Sequence, residues 1–452
     1  MKDHREDSPI LGLDSGSRVA VIGGGPAGSF FSYFLMEIAR RVGIDINVDV
    51  YESRDFSRPG PPGCNMCGGI VSESLVQTLA AEGINLPSTV VQRGIDSYQL
   101  HMDVGSVRIE TPLCEMRIAA VHRGSGPRDV EGSKWISFDG YLQRLVLEKG
   151  AHLVRGRVDE VNCRGGRPEI KVRGGPVQDY DLLVVAVGVN SGTLRLFEKL
   201  ELGYKLPHTT KTFISEYYLG EEAIARALGN SMHVFLLDIP RLEFAAIIPK
   251  GDYVTVCLLG NDIDSSLVKS FLDSPEVKQC FPPCWQSDRS SCQCWPSMNV
   301  QGAVTPFAER VVFIGDCGVT RLYKDGIGAA YRTAKAAATT AIFRGVSASS
   351  FRKYYWPICH SIGSDNTLGK LSFGAVRKVR KARFARRAIL RMSTMEQQRE
   401  PRCRRMSMVL WDMFTGSAPY KNILLRMLNP GFLSRFLWSI VVSIPGLDRI
   451  ER

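Results

Sequence analysis

Short apolar runs set among turns and long amphipathic stretches mark out the chain. Residues 18–22 (RVAVI) are apolar and β-branched, as in a buried parallel strand. A glycine turn follows, then an apolar helical stretch to Arg40, then the alternation of 46–50 ending in Tyr51 and Glu52. Residues 180–188 and 310–316 repeat the buried-strand pattern, and the second leads into a small-residue helix over 326–341. Strand-like alternation fills 97–110, 210–219, 233–238, 244–248 and 252–260, with Lys250, Gly251 and Asp252 as a hairpin turn. From residue 348 the pattern turns helical, and Ile423, Leu424, Met427 and Leu428 share one face. After Pro430 and Gly431 the same spacing resumes with Phe432, Leu433, Phe436, Leu437, Ile440 and Val441.

Buried strands dispersed this widely predict an α/β protein. One Rossmann-like nucleotide domain is assembled from 17–96, 123–195 and 301–347. An antiparallel sheet domain is inserted at 97–122 and 196–300, and a helical tail covers 348–452. Residues 1–16 are polar and read as a loose leader.

The turn itself is Gly23-Gly24-Gly25-Pro26-Ala27-Gly28. Strand, glycine turn, helix, strand and acid form a dinucleotide-binding fingerprint. Gly23 permits the tight turn, Gly25 lets the backbone approach a pyrophosphate, and Gly28 allows close helix–strand packing. Pro26 and Ala27 open the helix, whose N-terminal amides favour phosphate charge, and Glu52 would accept hydrogen bonds from a ribose.

Composition is 44% hydrophobic and 23% charged, which excludes wholesale disorder and collagen. The net charge of +11 is local. Between residues 352 and 405, fifteen Lys or Arg stand against Asp365, Glu396 and Glu400, so the remaining chain is nearly neutral. Such a segment suits an acidic membrane surface, an acidic protein or nucleic acid. Nucleic-acid binding would want aromatic platforms among the charges, yet Phe373 and Phe384 are almost alone, and no nucleic acid is expected. Attachment to a membrane surface fits the basic residues beside amphipathic turns with Trp411 and Trp438; packing of the apolar face on the enzyme body is the other reading, and a solvated helix face the plainest. The uncharged stretch 436–447 falls short of the ~20 residues that span a bilayer. Twelve cysteines without an export-type start point to a reducing cytoplasm, with the protein peripheral on the inner face of the membrane where it docks. Cys280, Cys284, Cys292 and Cys294 could hold zinc or an iron–sulfur centre, although packed loop cysteines are the default.

Four places together resemble the geranylgeranyl reductase family within the FAD-dependent oxidoreductases of the p-hydroxybenzoate hydroxylase fold. They are Gly23–Gly28 with Glu52, the Pro-rich approach to Cys67-Gly68-Gly69, Arg123 followed by the helix start at Phe138, and the strand from Phe244 through Ile248, Pro249 and Lys250. The resemblance spans residues 18–345. It implies a non-covalent FAD and an enzyme that reduces or dehydrogenates carbon–carbon double bonds of an isoprenoid-type lipid. It also implies an electron donor of unspecified kind: nicotinamide, ferredoxin or another flavoprotein. Asp316, after Gly315, would accept from the flavin's ribityl or pyrophosphate portion, or else cap the next loop. Arg123 would neutralise phosphate or stiffen the cleft, a surface salt bridge being the alternative. Gly326, Ile327 and Gly328 would let backbone pass close to the ring system. Cys67, with Gly68 and Gly69, is a candidate catalytic segment and proton donor, a buried inert thiol being the plainer reading. Phe244, Ile248 and Pro249 would line the lipid pocket.

The chain departs from that pattern in two places. The loop from Cys317 to Ile327 is shorter and lacks the usual Pro. Val187 stands where hydroxylases of this fold carry an acid, which weighs against a monooxygenase or halogenase, the alternative enzymes on this fold. A reading of another class is a basic-tail nucleic-acid or membrane-surface binding protein with a vestigial nucleotide fold.

Overall fold

The computed structural model describes residues 11–64, 66–111, 118–128, 135–164, 166–400 and 403–444. The elements that position the site begin with β1 (Arg18–Ile22), α1 (Pro26–Val42), β2 (Asn47–Glu52), β3 (Ser97–Met102), β4 (Gly105–Glu110) and β5 (Leu182–Val185). There follow β6 (Phe213–Tyr218), β7 (Ser231–Phe235), β8 (Leu242–Lys250), β9 (Tyr253–Gly260), β10 (Cys292–Cys294) and β11 (Val311–Phe313). The helices after them are α2 (Gly326–Phe343), α3 (Trp356–Lys381), α4 (Arg383–Gln397), α5 (Arg405–Thr415), α6 (Tyr420–Met427) and α7 (Pro430–Val442).

A six-stranded sheet orders Phe307–Ala308, β11, β5, β1, β2 and His152–Arg155, parallel except at the first pair. Its central strands are fully buried, which is why they read as continuous apolar runs rather than alternation. α1 and α2 pack together on one face. Ala334, Ala337, Ala338 and Ala341 of α2 are all buried, and their small side chains let the two helices approach closely. Helix α1 ends at Gly43, whose left-handed backbone (φ 74°) bonds back to Ala39 and Arg40.

The seven-stranded sheet runs β10-β6-β9-β8-β7-β3-β4, antiparallel except for β7 beside β3. Side chains alternate between its faces. Leu100, Ile214, Met232, Ala246 and Cys257 share one face with the tail helices. Phe213, Phe235, Ile247 and Val256 share the other, covered by the helices Glu221–Ala227, Ser265–Leu272 and Pro275–Lys278. A smaller sheet over Val158–Asp179, absent from the sequence expectations, packs Val158, Val161 and Ile170 on the face of the six-stranded sheet opposite α1 and α2.

Two expectations change. Not all of residues 1–16 are loose: Leu13 is buried and the Leu11 carbonyl accepts from Val346 N–H, while residues 1–10 lie outside the described ones. The basic tail is also less of a free surface than its charge suggests. Arg377 pairs with Glu243, Arg380 donates to the Leu242 carbonyl, and Arg386 grips Asp103 through two bonds of 2.6 and 2.9 Å. These cations hold α3 and α4 on the inserted sheet. Among the described residues no helix is long and apolar enough to cross a membrane.

Candidate functional site

The polar end of the site grows out of the β1–α1 turn. Gly23 N–H donates to the Tyr51 carbonyl, and its φ of 105° suits glycine; a Cβ there would lie 2.5 Å from the Ala186 carbonyl oxygen. A Cβ on Gly28 would sit 1.9 Å from Gly23 O, so α1 rests on the turn with no room for a side chain. Gly25 caps the helix with no side-chain hydrogen bond, and the first turn holds no acid. Its amides therefore keep their partial positive charge for a ligand. At the end of β2, Glu52 accepts from Gly24 N–H (2.9 Å) and Arg54 N–H (2.8 Å), which fixes the carboxylate beside the turn.

Gly23, Gly25, Pro26, Ala27 and Glu52 line a cavity of about 540 Å³, and so does Asp316. Gly315 makes the approach possible: its φ is 65°, and a Cβ would lie 2.7 Å from that of Ala27. Gly28 and Gly315 stand just behind the wall. Burial pushes the Asp316 carboxyl up, with Thr320 and Arg123 pulling it the other way. The carboxylate thus gains from any hydroxyl that donates to it from the cavity. Gly326 and Ile327 also line the space. Gly328 does not: its Cβ position points at the Asp325 carboxylate, 2.1 Å away, so that glycine serves the helix start rather than a ligand's ring.

The far end is apolar. Phe244, Ala246 and Ile248 of β8 line it with Ile214, Met232, Cys257 and Leu259 from neighbouring strands. Pro249 does not, because alternation places it with Ala245 and Ile247 on the opposite face. Phe414 and Thr415 of α5 close this end, a contribution that sequence reasoning did not assign to the tail by residue. Between the two ends run Cys67, Gly68 and Gly69. A Cβ on Gly68 would stand 3.0 Å from Cys257 Sγ, and one on Gly69 would collide with the Val121 carbonyl at 1.9 Å. Arg123 forms a two-bond pair with fully buried Asp139 instead of a surface salt bridge. Burial opposes the Arg123 charge, but Asp139 and the Cys67 sulfur beside it outweigh burial and raise its pKa.

Beneath Gly69 lies a buried ion pair not foreseen from the sequence. Lys250 Nζ is 3.7 Å from Glu216, whose two oxygens each accept from Thr255 at 2.8 Å. Burial, then Lys250, hold neighbouring His122 neutral, far below the usual 6.5. Unfolded His122 takes up a proton near pH 6.5 that the folded state refuses, so its contribution is present above that pH and lost as pH falls. In His122→Asn, the slope of stability between pH 6 and 5 should flatten by up to about 1.4 kcal/mol per pH unit. Denaturant midpoints measured across that range check it, and an unchanged slope contradicts a neutral buried ring.

The four cysteines weighed as a metal set do not converge, in keeping with packed loop cysteines as the default. Cys280 is buried beside His101 and His233 on the outer sheet face, Cys284 is exposed, and Cys292 and Cys294 belong to β10 at the sheet edge.

The loop that departs from the reductase pattern carries the tail. Arg321 is buried; it donates to the Gly416 and Ala418 carbonyls and pairs with Asp325 at 3.1 Å. Asn366 of α3 accepts from Leu322 N–H and donates to the Thr320 carbonyl, and Tyr420 donates to the Leu322 carbonyl.

No protein-family model matches the chain, and no curated protein matches it. Solved structures share its fold. A geranylgeranyl bacteriochlorophyll reductase-like protein from Thermoplasma acidophilum superposes with a TM-score of 0.64 at 14% identity, over 95% of this chain and all of that one. The halogenase PltM, also solved with phloroglucinol and FAD, gives 0.58 at 13% over 94% and 91%. The p-nitrophenol 4-monooxygenase PnpA from Pseudomonas putida DLL-E4 gives 0.57 at 12% over 88% and 98%. The fold is that of FAD-dependent oxidoreductases.

Proposed function

We propose that this chain binds FAD non-covalently and reduces or dehydrogenates carbon–carbon double bonds of a hydrophobic, isoprenoid-type substrate. One observation carries the reading: a single cavity joins an uncapped helix N-terminus and a half-buried carboxylate to an apolar end beneath the inserted sheet. Its volume lies within the ~300–1,000 Å³ of ligand sites. When bound, the flavin supplies hydride exchange with a substrate carbon.

The chain's own groups do the rest. Amides from Gly25 onward hold the pyrophosphate, Glu52 and Asp316 accept from sugar and ribityl hydroxyls, and Gly326 leaves room for the ring system. Phe244, Ile248, Met232 and Phe414 hold the hydrocarbon and exclude water. Arg123, fixed by Asp139, stands beside Cys67, and in this reading the Cys67 thiol would give its proton to the second carbon. Leu425, Leu428, Leu437 and Trp438 are more than half exposed near the exposed Lys421 and Arg435, which suits collection of the lipid from an anionic membrane surface.

The test is anaerobic. Chemically reduced holoenzyme is mixed with vesicles of anionic phospholipid carrying a geranylgeranyl lipid. Return of oxidised-flavin absorbance with a saturated product supports the proposal. Flavin that stays reduced here, but drives NADPH-stimulated oxygen uptake with an aromatic substrate, replaces it with a monooxygenase or halogenase.

A further inference from the structure

On the outer face of the seven-stranded sheet, away from the cavity, three side chains from distant parts of the chain converge. His101 leaves β3, His233 leaves β7, and Cys280 follows the short helix Pro275–Lys278; all three are buried. His101 Nε2 and His233 Nδ1 are 2.9 Å apart, and Cys280 Sγ lies 3.7 Å from the first and 3.4 Å from the second. Met232 and Ala246 line the cavity, whereas His233 points the opposite way by strand alternation.

We propose that His101, His233 and Cys280 supply three of the four ligands of a zinc-class transition-metal ion, with a water as the fourth, and that the ion pins the covering helix to the sheet. With Zn–N near 2.0–2.1 Å and Zn–S near 2.3 Å, a tetrahedral site has edges of about 3.3 Å between nitrogens and about 3.6 Å from sulfur to nitrogen. The three observed separations straddle these values, so closure on an ion needs shifts of only a few tenths of an ångström. The ligand set of two imidazoles and one thiolate selects a borderline-soft cation over Mg²⁺ or Ca²⁺. One second ring nitrogen is also met. His233 Nε2 faces the Leu228 carbonyl at 3.4 Å, which orients that ring for binding through Nδ1. Binding transfers the Cys280 thiol proton to solvent and leaves a thiolate on the metal. The ion ties residues 101, 233 and 280 together and needs no contact with the cavity, so it is independent of the catalytic proposal.

Full-length protein from zinc-supplemented cells would be desalted and its metal measured by mass spectrometry. About one zinc per chain is expected, falling at least roughly tenfold in Cys280→Ser and unchanged in Cys292→Ser. Because Cys280→Ser could fail to fold, chelator-stripped wild type is also titrated with Co²⁺, for which a thiolate-to-cobalt charge-transfer band is expected. Equal zinc in Cys280→Ser and wild type, or stripped wild type that gives no such band, overturns the assignment.

Discussion

Gly28→Ala is expected to destabilise the protein by about 3 kcal/mol and to strip it of bound flavin. The added methyl would lie 1.9 Å from Gly23 O and 3.1 Å from Val21 Cγ1, both parts of β1 or its turn. Backbone cannot yield as a flexible side chain can, so α1 must lift off the sheet and carry its N-terminal amides away from the cavity. Gly363 provides the contrast. It lies inside α3 with nothing within 4 Å of its Cβ position, and alanine there should be neutral or stabilising by up to about 1 kcal/mol. Thermal unfolding with flavin content per chain reads both effects. A Gly28→Ala protein with wild-type stability and flavin would mean that the turn does not hold the helix.

The second large effect is expected at Arg321. Replacing it by alanine removes the donor to two tail carbonyls and leaves Asp325 with only the half-exposed Arg332, at a cost of about 2–3 kcal/mol. Because Asp325 and Thr415 both border the cavity, the tail should detach from the apolar end and become an early target for trypsin. Arg321→Lys keeps the charge but not the planar fork that reaches both carbonyls, so it should fall between the two. Unaltered unfolding and an unaltered cleavage pattern in Arg321→Ala would contradict the role given to this loop.

Legibility in the sequence follows the range of the interactions. β1, the glycine turn, α1 and β2 could be read because each is a local pattern and they follow one another without interruption. The polar end of the cavity was visible for the same reason, with Asp316 added through the resemblance. The apolar end was less so. Ile214, Met232 and Cys257 come from three strands whose adjacency no local periodicity encodes, although Pro249 could have been excluded by counting alternation from Phe244. The tail misled most. A run of cations looks like an external surface until Arg377, Arg380 and Arg386 meet Glu243, Leu242 O and Asp103, more than 130 residues earlier in the chain. The His101–His233–Cys280 group carries no spacing signal at all, since parallel pairing of β3 with β7 brings the two histidines together.

The most direct test is the flavin itself. Protein purified under native conditions, or mixed with FAD and desalted, should show an oxidised-flavin spectrum equivalent to one FAD per chain, fully released on acid denaturation. A folded, colourless protein that takes up no FAD would contradict the account.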